Sequence, residues 1–329
     1  MDPSLKPPAF SDIAAARKRL EGYAVRTPLL SSPALDASCG GRILVKAECL
    51  QRTGSFKFRG AWNFISQLPE EARTAGVVAY SSGNHAQGVA AAAALRGLPA
   101  VIVMPEDAPE IKKANTRSYG AELVTYDRQA QSREEIARAI ARERGAVLVP
   151  PYEHPWIVAG QGTVGAEIAE DAATLGLTID QAIACASGGG LTAGIALALE
   201  TLSPGTEIYT AEPEQFDDHR RSIASGRRER NAVRTGSICD ALLSPEPGEF
   251  TFSINRDRLK GGLAASDEEV MAAMRFAFET FKIVVEPGGA VALAAVLAGR
   301  IATRDRTIAV VVSGGNADPA TFADILRAA

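Results

Sequence analysis

An α/β fold with two open, twisted, mostly parallel sheets flanked by helices is predicted by three observations. Short apolar runs alternate with helix-patterned segments from Val77 to Val149, the alternation resumes at Ala182, and Thr307 to Val312 closes the series as a buried-type strand.

Taken in order, Val77 to Tyr80 is a strand, followed by a helix through Ala90 to Leu95 and a strand from Ala100 to Met104. A helix near Ile111 to Tyr119 leads to the strand Glu122 to Tyr126, and a helix near Arg133 to Arg144 leads to Val147 to Val149. Strands joined by helical crossovers run parallel. The second series is Ala182 to Ala186, the helix Leu191 to Leu202, Glu207 to Ala211 and, much later, Thr307 to Val312. Breaks fall at the polar turn Glu70 to Gly76 and at Pro150 to Pro155, where three prolines interrupt the pattern. Residues 76–150 are therefore expected to form a smaller mobile domain, inserted into a larger one made of 1–75 and 151–329.

Composition narrows the function. The chain has 329 residues, and 46% hydrophobic residues can fill a substantial core. With 22% charged residues and a formal charge of −4 there is no basic field for nucleic acid and no polybasic segment for an anionic membrane. The N-terminal segment has no apolar core, and the longest apolar stretch is broken by Arg96 and Pro99, so a cytoplasmic protein is expected. Cys39, Cys49, Cys185 and Cys239 lack metal-ligand spacing and read as reduced thiols. The stretch Arg220 to Arg230 reads as a solvated connection.

Two motifs carry chemistry. Lys57 sits in Ser55-Phe56-Lys57-Phe58-Arg59-Gly60, and Ser187-Gly188-Gly189-Gly190 joins an apolar strand to a helix near Leu191. A lysine amine condenses with an aldehyde, and a glycine turn at a helix start offers backbone N–H groups to a phosphate. Together they point to pyridoxal phosphate. Taken singly, Lys57 would be an ordinary exposed lysine and the glycines a tight turn. Gly160-Gln161-Gly162-Thr163-Val164-Gly165 has the spacing of a dinucleotide loop, but a proline-rich turn precedes it rather than a strand. Its glycines are expected to be close-packing positions in a helix that starts after Pro155.

With Ser81-Ser82-Gly83-Asn84-His85-Ala86-Gln87-Gly88 and Ser313-Gly314-Gly315-Asn316, these motifs resemble, in order, the signatures of fold type II pyridoxal phosphate enzymes of the tryptophan synthase β-like fold. The similarity runs from about Arg26 to Asn316 and is nearest to the serine/threonine dehydratases and serine racemases, with the hydroxyaspartate dehydratases as a candidate branch. It implies that Lys57 forms the Schiff base, that Phe56 flanks the ring, and that Asn84 meets the phenolic oxygen. Ser187, Gly188, Gly189, Gly190 and Leu191 would hold the phosphate, with a serine where the family usually has a first glycine. Ser313 would meet the ring nitrogen, donating a neutral hydrogen bond. Ser81, Ser82, Gly83, Asn84 and His85 would hold the substrate carboxylate at a helix start. Ser82 aligns with the second acid/base of the racemases, so it is a catalytic candidate, with carboxylate ligand or helix cap as its other readings.

The same resemblance places a divalent cation, Mg²⁺, Mn²⁺ or Ca²⁺, on Glu212, the carbonyl of Phe216 and Asp218. It implies a homodimer and a small amino acid substrate. The expected reaction is elimination of water from serine, threonine or 3-hydroxyaspartate, giving a 2-oxo acid and ammonia. Racemisation of serine or aspartate is the alternative, and a phosphate-binding protein without chemistry a more distant one. A second substrate carboxylate would need a cation, for which His85 and Arg133 are the candidates. Segment Ser237 to Leu242 departs from the racemase pattern, which weakens that alternative. Glu286, in Glu286-Pro287-Gly288-Gly289-Ala290, resembles a segment near the ring and is given no catalytic role. The sequence ends at Ala329, where biosynthetic threonine dehydratases carry a regulatory domain, so feedback control is not expected.

Overall fold

A computed structural model describes residues 5–81, 83–108, 110–127 and 129–328. The strands among them are β1 (Leu29–Leu30), β2 (Arg42–Ala47), β3 (Val77–Tyr80), β4 (Ala100–Pro105), β5 (Glu122–Tyr126), β6 (Val147–Leu148), β7 (Gln181–Cys185), β8 (Glu207–Pro213), β9 (Gly261–Ala265) and β10 (Thr307–Val312). They form a six-stranded sheet in the order β1-β2-β10-β7-β8-β9 and a four-stranded sheet in the order β5-β4-β3-β6. Of the pairings between these strands, β1 with β2 is antiparallel and the others are parallel.

The strand expectations hold, and three strands are additional. β1 is two residues long, β2 contains the charged Arg42 and Lys46, and β9 is Gly-Gly-Leu-Ala-Ala with no β-branched residue. In β2, Lys46 is fully buried and its Nζ lies 2.7 Å from Glu167 Oε2, while Arg42 at the strand start pairs with Asp36. A nearby partner for Arg42 and a remote one for Lys46 thus neutralise the charges that disguise the strand.

The helix Pro155–Thr174 carries the Gly160, Gly162 and Gly165 pattern in its interior, as expected for packing positions. A Cβ on Gly160 would lie 2.6 Å from Arg59 O, and one on Gly162 2.8 Å from Gly194 O. These glycines let that helix close on its neighbours Lys57–Ile65 and Gly190–Leu202.

Register places the site. In the six-stranded sheet Val312 of β10 lies opposite Ala47 of β2, and Cys185 of β7 opposite Ala211 of β8, so the loops that follow β2, β7 and β10 leave from one edge. In open parallel sheets that edge is where ligands gather.

Candidate active site

Two backbone hydrogen bonds bring the lysine motif to the last strand. Phe56 N donates to Ser313 O at 3.1 Å, and Gly315 N donates to Gly54 O at 2.8 Å, with Ser55 and Gly314 bridged between them. Lys57 then opens the helix Lys57–Ile65, and its side chain enters a cavity of about 270 Å³. Lys57 Nζ donates to Pro151 O at 3.1 Å and stands 5.1 Å from the Phe56 ring centroid and 6.0 Å from that of Tyr152. Burial among these groups lowers its pKa to about 8. The amine faces the cavity, and a far larger share of it is neutral near physiological pH than of an ordinary exposed lysine.

The helix holding Lys57 is itself anchored by Arg59, which is 1% exposed. Its guanidinium bonds Glu48 through Nε at 2.8 Å and Glu167 through Nη1 at 2.7 Å, a buried network with donors and acceptors matched.

The glycine turn closes the opposite wall. Gly189 has φ +86°, and a Cβ on Gly188 would lie 2.2 Å from the Tyr152 ring. Only glycine allows this backbone so close to an aromatic face. The helix Gly190–Leu202 starts from the turn, so the turn is a cradle of the size and polarity a phosphate needs. Ser187 Oγ lies 2.6 Å from Ser244 Oγ.

Ser313 is 4% exposed, and Cys185 Sγ donates to its hydroxyl oxygen at 3.1 Å. With that oxygen already accepting, the serine proton remains available to an acceptor in the cavity. Burial pushes the Cys185 thiol up to about 11, so it stays protonated as the donor.

From the four-stranded sheet and the loop and helices that follow its strands come Tyr80, Ser81, Gly83, Asn84, His85, Lys112 and Arg133. Ser81 Oγ accepts from Gly83 N at 3.1 Å, and the helix Asn84–Arg96 presents its N-terminus to the cavity. Asn84 Nδ2 donates to Glu286, and Asn84 Oδ1 accepts from Asn316 Nδ2 at 2.7 Å. Burial raises the Glu286 carboxyl to about 7. Ser82 lies outside the described residues.

The two candidate cations behave differently. His85 Nε2 donates to Val149 O at 3.0 Å, and burial pulls its pKa down to about 3. It is neutral and turned to the backbone, so it supplies no charge for a second carboxylate. Arg133 keeps its charge, with its guanidinium carbon 5.5 Å from the Tyr80 ring centroid and Nε 2.9 Å from Glu134 Oε1. Lys112, which carries no motif, also lines the cavity and pairs with Asp240. Lys112, Asp240, Tyr152 and Cys185 escape sequence reasoning because each is a single residue from a different element. Glu286 stands out only through its Pro-Gly-Gly sequel.

Glu212, Phe216 and Asp218 stand outside the cavity lining. Glu212 is fully buried and its carboxylate accepts from His219 N and Arg220 N, both at 2.8 Å. Asp218 Oδ1 accepts from Asn231 Nδ2 at 2.7 Å, whereas its buried Oδ2 has no partner among the described residues. Among those residues no three His, Cys, Asp or Glu side chains converge as a metal cluster. Two buried carboxylates, one with an orphaned oxygen, do match the oxygen donors a hard cation takes. No helix among the described residues is long and apolar enough to cross a membrane.

Comparison with known proteins agrees with this geometry. Residues 20–314 match the family described as "Pyridoxal-phosphate dependent enzyme". The chain is 44% identical to the L-threo-3-hydroxyaspartate ammonia-lyase of Pseudomonas sp, over 97% of this chain and 98% of that protein. It is 39% identical to the serine racemase of Schizosaccharomyces pombe, over 99% of each. The crystal structure of a threonine deaminase from T.th. superposes with a TM-score of 0.88 at 45% identity, over 94% of this chain and 99% of that one.

Proposed function

This chain belongs to the pyridoxal-phosphate dependent enzyme family, and from that premise we propose that it is an ammonia-lyase that eliminates water from a β-hydroxy amino acid and then, by hydrolysis, releases ammonia and a 2-oxo acid. The observation that carries the proposal is one cavity in which the Lys57 amine, a glycine cradle and the Ser313 hydroxyl converge. Lys57, with Phe56 beside the ring, would hold the cofactor's aldehyde end. Ser187 to Leu191 would hold its phosphate, Ser313 its ring nitrogen and Asn84 its phenolic oxygen. Bound there, the cofactor supplies an aldehyde for amines and a ring that spreads negative charge away from the substrate Cα.

The chain's own groups then have defined tasks. Ser81, Gly83 and the N-terminus of the helix Asn84–Arg96 hold the α-carboxylate and fix the Cα–H direction. The neutral Lys57 amine takes the Cα proton. The β-hydroxyl departs as water, and hydrolysis of what remains gives a 2-oxo acid and ammonia. Tyr152 and Phe56 exclude bulk water from one side of the cavity.

Arg133 and Lys112 on one wall favour 3-hydroxyaspartate over serine or threonine, because a second carboxylate would otherwise be buried unpaired. The contacts of Asn84 and Lys112 with Glu286 and Asp240 span from the four-stranded unit to the six-stranded one, which supports residues 76–150 as a domain that closes on substrate. The reading includes a divalent cation on Glu212, Phe216 O and Asp218, and a cytoplasmic homodimer.

The test is a 2-oxo acid assay with L-serine, L-threonine and the 3-hydroxyaspartate isomers, run beside a chiral assay for D-serine and D-aspartate. Oxaloacetate formed faster than pyruvate or 2-oxobutyrate is expected. Inverted amino acid without 2-oxo acid would replace the proposal by racemisation.

A further inference from the structure

The glycine turn is held from behind by its carbonyls. His219 Nε2 donates to Ser187 O at 2.8 Å, Thr251 Oγ1 donates to Gly188 O, and Asn255 Nδ2 donates to Gly189 O at 3.0 Å. All three donors are fully buried. Thr251 and Asn255 are four residues apart on the helix Glu249–Asn255 and therefore share a face, while His219 lies on the helix Asp218–Ser225.

No peptide bond among the described residues is cis. In a trans peptide the C=O of one residue and the N–H of the next point in opposite directions. Pulling the carbonyls of Ser187, Gly188 and Gly189 back into protein therefore turns the N–H groups of Gly188, Gly189 and Gly190 the other way, and these three residues line the cavity. Gly188 O also accepts from Gly248 N at 3.3 Å, and Gly189 O from Ala193 N and Thr192 Oγ1, both at 3.0 Å, so the three side chains reinforce a turn whose glycine peptide planes are otherwise easily rotated.

We propose that His219, Thr251 and Asn255 are positioning residues that preset the three amides of the turn for the cofactor's phosphate. This rests on the reading that the turn takes that phosphate. None of the three side chains lines the cavity. They act by removing the entropy that three mobile peptide planes would lose on binding.

The test titrates apoprotein with pyridoxal phosphate and, separately, with pyridoxal, which lacks the phosphate, following absorbance. Thr251→Val and Asn255→Leu each remove one donor at similar volume, and each is expected to weaken pyridoxal phosphate binding about 3- to 10-fold while pyridoxal binding is unchanged. Thr251→Ser, which keeps the hydroxyl, is expected to retain both affinities. As a second measurement, inorganic phosphate should raise the melting temperature of wild-type apoprotein and raise it less for the two variants. Equal losses for both ligands, or no loss for the phosphorylated one, would overturn the assignment. If wild-type apoprotein itself binds the two ligands equally, the phosphate reading of the turn fails as well, and that result is distinct from failure of the anchors alone.

Discussion

Lys112 Nζ reaches Asp240 Oδ2 at 2.5 Å, joining the helix Glu110–Ser118 to the turn Asp240–Leu242 across the cavity. The lysine side chain is 10% exposed and that of the aspartate 49%, so the buried cation is held by a carboxylate that water can reach. If the substrate is the acidic one proposed above, its second carboxylate would compete with Asp240 for the same amine.

Asp240→Asn is therefore expected to lower KM for 3-hydroxyaspartate and leave KM for threonine nearly unchanged. The half-exposed pair is screened, which limits the effect to ~0.2–1 kcal/mol, or about 1.4- to fivefold. Lys112→Met should shift KM for the acidic substrate in the opposite direction. Steady-state kinetics on both substrates checks the pair of outcomes.

The depressed pKa of Lys57, about 8, gives a pH prediction for the apoprotein. Only the neutral amine attacks an aldehyde, and a lysine with a lowered pKa is neutral above that value. Uptake of pyridoxal phosphate, followed by its visible absorption, should rise with pH through about 8 and slow about tenfold per unit below it. Lys57→Ala should show no lysine-aldimine band at any pH.

Arg59 compensates Glu48 and Glu167, all three with side chains no more than 10% exposed. Arg59→Met would leave Glu48 buried without a cation, while Glu167 would keep Lys46 alone. A loss of about 3–5 kcal/mol is expected in denaturant unfolding, because removing one partner strands buried charge. A change below about 1 kcal/mol would show that the network contributes little.

The orphaned oxygen of Asp218 gives a cation test. Chelation should lower the melting temperature, and Mg²⁺, Mn²⁺ or Ca²⁺ at about 100 times its Kd should restore about 2.7 kcal/mol. Asp218→Asn should make the protein indifferent to both treatments. A wild-type protein with unchanged melting temperature in chelator and in cation would remove the cation from the proposal.

Sequence by itself determined the strands whose burial is written in their own side chains. Val77–Tyr80 and Thr307–Val312 are apolar throughout or nearly so, and their flanking helices carry their own periodicity. It also determined the contiguous motifs around Lys57, Asn84, Gly188 and Ser313, because backbone amides and neighbouring side chains act over a few residues. Tertiary structure alone decided whatever depends on a partner far along the chain. β2 is a strand through its pairing with β1 and β10, and it tolerates a buried Lys46 because Glu167 neutralises it, a fact of packing rather than of local propensity. His85 loses its charge because burial and the neighbouring Lys57 outweigh its bond to Val149 O, and Lys112 meets Asp240, 128 residues away, across the cavity. Local pattern records what a residue prefers, whereas charge state and direction in the site are set by groups that only folding brings near.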